Sequence, residues 1–410
     1  MKIEDIRFNG NDEILREMWE TAKDDVCKNF CMDTDFGRTF AAAAYGKFAN
    51  WKKLAFNRDT SYSGLLALNS LYPEEMYSSI KVIRKIRLRL GWSCFPEFVI
   101  RGLDGVTVHD LSFDEFKERF GVSSSIHQTD DVSWMWCAYD LFLKINADVA
   151  DYRWLYDTAN ECFDRFYEPF YDKKFGLYHG QATFIDVGSN GYPVDFGMKT
   201  EESRNKGIRV MASSTNALYF KALCIMEDIA RMLDLDGERK AWGKKAATLR
   251  SAILKHLRFP DGKFAYFMHP DGRLENRREA LGTAFPILTG LVTGEDAKNC
   301  IKDYPIGEHG ADLITPFFDN PSTLHNNASW PFADTFLLMA KEIAEGTDES
   351  EHNIRILKNA ATDLHMREFR NALTDELCGQ TAQLWSCAAL LGTLVRAGLT
   401  SAKKELVNIN

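Results

Sequence analysis

Near its C-terminal end the chain reads Arg367-Glu368-Phe369-Arg370-Asn371-Ala372-Leu373-Thr374-Asp375-Glu376-Leu377-Cys378-Gly379-Gln380-Thr381-Ala382-Gln383-Leu384-Trp385. The stretch is polar and turn-rich, and it separates two segments of helical period, 350–366 and 382–396. Glu368 stands three residues before Asn371, and two readings of it are open. It is either a carboxylate that activates a water or the last-turn glutamate of a solvated helix, the commoner fate of a carboxylate.

Working back along the chain, apolar residues recur at helical spacing over 13–30, 73–90, 151–167, 238–257, 295–301 and 333–343. The segments between them repeat one grammar, in which acids and aromatics come just before an apolar helix. Arg58-Asp59-Thr60 precedes Leu65-Leu66-Ala67-Leu68, and Asp130-Asp131 precedes Trp134-Met135-Trp136. An acid in that position also serves as an N-cap, so capping and a shared pocket both remain open. The loop 171–209 is too long for a simple connection, and loops of that length carry function. At its centre Asp186 is framed by Phe184, Ile185 and Val187. Apolar surroundings raise a carboxyl pKa and keep it protonated near neutrality, as a general acid requires. The alternative is a turn aspartate ahead of Gly188-Ser189-Asn190-Gly191. A further loop ends in His325-Asn326-Asn327-Ala328-Ser329-Trp330 before the 333–343 helix.

Glu368-x-x-Asn371-x-Leu373-Thr374, followed by Gly379-Gln380 and by Trp385-Ser386 opening the last apolar helix, resembles the C-terminal base segment of the processing α-glucosidases and their trehalase-like relatives. Arg58-Asp59-Thr60 resembles a sugar-holding segment of the glucosidase domain of glycogen-debranching enzymes. Asn327 and Trp330 are similar to the Asn-Gly-Pro-x-Trp strip of processing α-glucosidases, with no Gly-Pro and a one-residue difference in spacing. Asn216-Ala217-Leu218-Tyr219 resembles the Asn-Ala-x-x-Tyr that opens the matching helix, with Ser213-Ser214 where many relatives carry an acid.

The resemblance implies an all-α fold, an (α/α)6 toroid of six helical hairpins with short β inserts in its loops, as one domain over 1–410. It implies an inverting exo-glycosidase, α-glucosidase-like, that cleaves a terminal sugar from a small glycoside. Asp186 is then the general acid and Glu368 the general base, their carboxyls about 6.5–9.5 Å apart to leave room for a water. Arg58, Asp59, Asp130, Asp131, Trp134, Asn327, Trp330 and Trp385 are the expected sugar-binding residues, with Trp330 a stacking platform and Asn327 a hydroxyl partner. Glu279 is a further pocket candidate of lower weight than Glu368. The same toroid also serves sugar epimerases, which work through histidines such as His127, His179 or His325, and noncatalytic sugar-binding modules. A phosphorylase is a further alternative, needing a basic cluster opposite the acid.

Composition bounds these readings. Of 410 residues, 45% are hydrophobic and 27% charged, which fits a folded chain with a large core. A net charge of −9 argues against nucleic-acid or anionic-membrane partners, which need a basic patch. No apolar run reaches the length of a membrane span, and Met1-Lys2-Ile3-Glu4-Asp5-Ile6-Arg7 has no signal-peptide core. The nine cysteines are odd in number and scattered, so they predict reduced thiols in a cytoplasmic protein. Cys27 and Cys31, four apart, have no second Cys or His pair at ligand spacing, and no metal is expected. No dinucleotide or phosphate-loop fingerprint occurs, and no cofactor is expected. The small carbohydrate is the one partner predicted; oligomeric state is not encoded in any pattern found.

Overall fold

The computed structural model describes residues 3–34, 37–45, 54–90, 94–96, 131–185, 192, 209–319 and 325–409. It is mostly α-helical, with short strands in the connections. The helices are α1 (Glu13–Lys28), α2 (Asn57–Ser63, running on through a π-helical turn, Gly64–Leu68, to Leu71) and α3 (Pro73–Leu90). Then come α4 (Ser133–Ile145), α5 (Val149–Cys162), α6 (Ser213–Met232) and α7 (Asp236–His256). The chain closes with α8 (Ala280–Leu288), α9 (Gly294–Ile301), α10 (Pro331–Glu345), α11 (Ser350–Asn359) and α12 (Leu384–Arg396).

Burial sorts these helices into two kinds. On α1 the buried apolar residues are Leu15, Met18, Trp19, Ala22 and Val26, and on α7 they are Trp242, Ala246, Leu249 and Ile253. Spacing of three and four gives one buried stripe and a wet opposite face. By contrast, every residue of α2 is buried, as is every residue of α12 from Leu384 to Val395. The first turns of α4, α6, α8 and α10 are likewise buried on all sides. A helix buried all round belongs at the centre, and the contacts agree. α2 packs on α4, α4 on α6, α6 on α8, α8 on α10, α10 on α12, and α12 returns to α2. The striped helices pack outside this set, α7 against α6 and both α1 and α11 against α12.

The closing contact depends on a glycine. A Cβ at Gly392 of α12 would run into the carbonyl of Leu66 in the π-helical turn of α2, so only glycine lets the two backbones come this close.

The first turns of the central helices meet one another. Asn57 at the start of α2 donates to the Asp131 carbonyl just before α4, 2.8 Å. Gln383, the residue before α12, donates to Asp59 of α2, 3.2 Å. Phe332 of α10 stacks on Trp385 of α12 with centroids 4.1 Å apart. Gly282 of α8 leaves room beside Ser213 of α6. Strand-to-helix junctions therefore gather at one end of the bundle.

A five-stranded sheet sits there. Its strands are β1 (Ala43–Tyr45), β2 (Ala328–Ser329), β3 (Ala361–Thr362), β4 (His365–Asn371) and β5 (Leu377–Gln383), ordered β2-β4-β5-β1 with β3 also on β4. The helix predicted over 350–366 is corrected here, because it ends at Asn359. Asp363 and Leu364 take positive φ angles of 48° and 69°, which turn the chain back and pair Ala361 with Met366. Among the described residues no helix is long and apolar enough to cross a membrane. Among the cysteines whose side chains are described, none forms a disulfide.

Candidate functional site

Glu368 lies on β4, in the middle of a hairpin. The turn between β4 and β5 is set by Asn371, whose side-chain oxygen accepts from the Leu373 and Thr374 amides at 2.9 and 3.3 Å. Asparagine makes this local turn more readily than any apolar residue. The pairing then slips: Phe369 opposes Cys378 while Arg367 opposes Thr381. Such bulges re-aim a side chain, and here Glu368 tucks into the slip. Its Oε2 accepts the Gln380 amide at 2.7 Å. Gly379 makes this possible, since its φ is +75° and a Cβ there would collide with the Glu368 carboxylate. The last-turn helix reading of Glu368 is thereby replaced by a carboxylate held on a strand by a backbone amide.

Phe369, the next residue, carries the hairpin into a cluster of rings. It stacks on Trp330 at 5.0 Å and 19°, and His325 lies parallel to the same indole at 5.3 Å and 6°. Phe184 meets Trp330, Phe332 and Trp385 edge-on. The Arg58 guanidinium sits 5.9 Å from the rings of both Phe184 and Trp385, and its Nε is 3.8 Å from Asp59 Oδ2. Asp59 is three residues into α2, and its Oδ1 accepts from Gln383. It is therefore not the N-cap; Phe56 occupies that position and makes no side-chain cap bond.

Residues 58, 59, 325, 330, 369, 383 and 385, far apart in the chain, thus come together at the end where the central helices begin, with Glu368 beside Phe369 on β4 and Asn327 beside the hairpin turn. Trp330 and Trp385 are only 2% exposed. The open stacking platform expected of Trp330 is corrected to a packed floor of rings. Four polar atoms stand around this floor without partners among the described residues: Asn327 Oδ1, Gln380 Oε1, Gln383 Oε1 and Trp385 Nε1. Buried polar atoms are seldom left so, and donors and acceptors of this kind are what a polyhydroxylated ligand or ordered water would satisfy. The Asn327 backbone is used separately, its carbonyl accepting the Ala372 amide of the hairpin turn at 2.9 Å.

Charge is tuned by the same packing. Burial, helped by the positive charge of Arg58, lowers the His325 pKa from 6.5 to about 3, so the ring is neutral at ordinary pH. Glu279, which caps α8 by accepting from Leu281 N and Gly282 N at 3.1 and 2.8 Å, is raised by burial to about 8 against the pull of those donors and of Ser214. Glu279 and Gln383 are the polar residues here that called for more weight from sequence. Each stands immediately before an apolar helix, the same signal that marked Arg58 and Asp59.

Asp131 and Trp134 do something else. Both Asp131 oxygens are taken, by Arg84 at 2.7 and 2.9 Å and by Tyr167 at 2.8 Å, with Arg87 Nε 3.3 Å away. Trp134 donates to the same Tyr167 at 3.0 Å and lies under the Arg84 guanidinium. All of these side chains are buried. Their expected role in holding a sugar is corrected to that of an internal ion-pair pillar behind α4. Burial alone would raise the Asp131 pKa, but the two arginines and the hydrogen bonds from Arg84 and Tyr167 bring it down to about 2. Asp130, Asp186 and His127 lie outside the described residues. His179 pairs with Arg209 at 3.0 Å.

No protein-family model matches the chain, and no curated protein does. Solved structures do match in fold. One is a glycosidase point variant in complex with glucose, 16% identical with a TM-score of 0.61, covering 95% of this chain and 100% of that one. Another is an uncharacterized conserved protein from Thermus thermophilus, 13% identical with a TM-score of 0.64, covering 92% of this chain and 100% of its own. The GH78 family rhamnosidase of Bacillus sp. GL1 is 15% identical with a TM-score of 0.60, over 94% of this chain and 35% of the larger enzyme. At these identities the likeness concerns the fold, which is that of the six-hairpin glycosidase type.

Proposed function

We propose that this chain is a glycoside hydrolase, an inverting, exo-acting enzyme of α-glucosidase-like type whose helices close into an (α/α)6 toroid. The circuit of contacts among the central helices, with α12 returning to α2, supports the toroid. The observation that carries the functional reading is the set of buried polar atoms around a packed aromatic floor that have no hydrogen-bond partner among the described residues, with Glu368 held one residue away from Phe369 on a bulged strand. Structural neighbours that are glycosidases point the same way.

In this reading Glu368 takes a proton from a water as the water oxygen attacks the anomeric carbon. Asp186 gives its proton to the glycosidic oxygen as that bond breaks, releasing a free sugar and an alcohol. Arg58, Asp59 and Asn327 hold hydroxyls of the terminal sugar, and Asp130 lies close enough in sequence to α4 to join them. Trp330 and Trp385 back the site. The Gln380 backbone amide donates to Glu368 Oε2 and holds that carboxylate in one orientation on the strand. A histidine-based epimerase is disfavoured by the burial of His325, which stacks on one face of Trp330 and meets the edge of Phe184. The absence of a disulfide among the described cysteines suits a reducing compartment.

The test is release of monosaccharide from a panel of aryl glycosides and short oligosaccharides by the wild type, Glu368→Gln and Asp186→Asn. Loss of turnover in both variants on a substrate the wild type cleaves, with sugar binding retained, supports the assignment. Either variant at wild-type rate removes its residue from the mechanism.

A further inference from the structure

A cavity lies on the outside of the bundle between the C-terminal end of α5 and the outer helix α7, and its described lining includes no residue of the Glu368 cluster. Its volume is about 410 Å³, within the range of small-molecule sites. Phe163, Tyr178, Leu223 and Leu249 form its apolar floor, while Asp164 and Glu168 stand on one wall and Lys244 and Lys245 on the other. The cavity opens where α5 gives way to a π-helical turn, Phe163–Tyr167, a distortion that is frequent at functional sites.

The floor is rigid. Tyr178 stacks face to face on Tyr219 of α6, centroids 3.7 Å apart and planes within 5°. Asn216 fixes the Tyr178 backbone from both sides, its Oδ1 accepting the Tyr178 amide and its Nδ2 donating to the Tyr178 carbonyl, each at 2.8 Å. This is where the Asn216–Tyr219 motif goes. Asn216 and Tyr219 lie behind the floor and hold Tyr178 in it. A floor held in place costs a ligand less to organise.

The charges are unusual. Asp164, Glu168, Lys244 and Lys245 are exposed residues that line one cavity, and no ion pair joins these acids to these lysines among the described residues. Lys245 rests over the Trp242 ring at 4.2 Å, on its own side of the gap. A neutral sugar has no use for opposite charges held apart across an apolar floor. A molecule with both charges and an apolar body matches all three features.

We propose that this cavity binds a free α-amino acid with an aliphatic or aromatic side chain. Its ammonium group lies against Asp164, Glu168 and the tyrosine rings, its carboxylate against Lys244 and Lys245, and its side chain on Leu223 and Leu249. The site is separate from the Glu368 cluster and stands whichever reaction occurs there.

Isothermal titration calorimetry on the full chain tests it, with L-leucine and L-phenylalanine as probes. Leucinamide, N-acetyl-leucine and maltose are the controls lacking the carboxylate, the ammonium or both. One of the two amino acids is expected to bind with Kd of about 1 mM or tighter, and the controls about 10-fold more weakly or not at all. Glu168→Gln and Lys244→Gln, both at exposed positions, should each weaken binding about 10-fold. The proposal is overturned if neither amino acid binds at about 10 mM, if the controls bind equally well, if maltose alone binds, or if neither variant changes the affinity.

Discussion

At Glu368 the geometry leaves little slack. The carboxylate fills the space a side chain at Gly379 would need, and it takes the Gln380 amide. Gly379→Ala must therefore move Glu368, and the positive φ at 379 adds strain. A displacement of this size should lower kcat on the order of 100-fold while KM changes little; steady-state kinetics on the substrate found by panel screening checks this, with thermal unfolding as the control for folding. Asp131 presents the opposite case, a carboxylate that stabilises through two buried arginines. Asp131→Asn leaves buried guanidinium charge uncompensated and should cost about 3–5 kcal/mol in urea unfolding. Proton linkage gives a third expectation. Burial raises Glu279 from 4.5 to about 8 and Asp334 from 3.8 to about 7, against the donors each one has. Both folded values lie above the unfolded ones, so their contribution is complete below the unfolded values and is lost as pH rises through the folded ones. Glu279→Gln should flatten the fall in Tm between about pH 5 and 8. Asp131 has the reverse sign: its folded value of about 2 lies below 3.8, so its contribution is complete above 3.8 and lost as pH falls toward 2.

Among the elements, the central and outer helices were largely legible and the hairpin was not. Pro73–Leu90 appears with the predicted bounds, because a proline at its start and an apolar stripe along its length say the same thing. The hairpin was hidden because Ile354, Leu357, Ala361 and Leu364 keep helical spacing into a turn made by Asp363 and Leu364, neither of them a glycine. Left-handed conformations at such residues leave little trace in sequence. The partners of Asp131 were hidden for a different reason. Arg84 and Arg87 look like solvated charges on α3, yet they fall in phase with buried Met76, Ile80 and Ile83, and that phase was the available signal. At the contact of α12 with α2, Gly392→Ala should destabilise by about 1–3 kcal/mol, since the added methyl meets the Leu66 carbonyl and neither backbone can yield without disturbing its other neighbours. Urea unfolding measures it.

At the scale of the molecule, the arrangement explains how residues 58, 330, 368 and 385 can serve one site. Each lies at or just before the first turn of a central helix, or on the hairpin that leads into one. A chain that gathers those first turns at one end gathers the residues with them. The repeated placement of acids and aromatics before apolar helices was a readable sign of this, although it did not separate Asp59, which enters the cluster, from Asp131, which goes into the pillar. The proposed chemistry carries a stereochemical signature that no binding module or epimerase shares: a water activated by Glu368 attacks from the face opposite the departing group. Proton NMR of the first sugar released, followed before mutarotation, reads that signature directly. The account predicts that the free sugar appears with its anomeric configuration inverted relative to the substrate; a product of retained configuration, or no sugar released from any member of the panel, contradicts it.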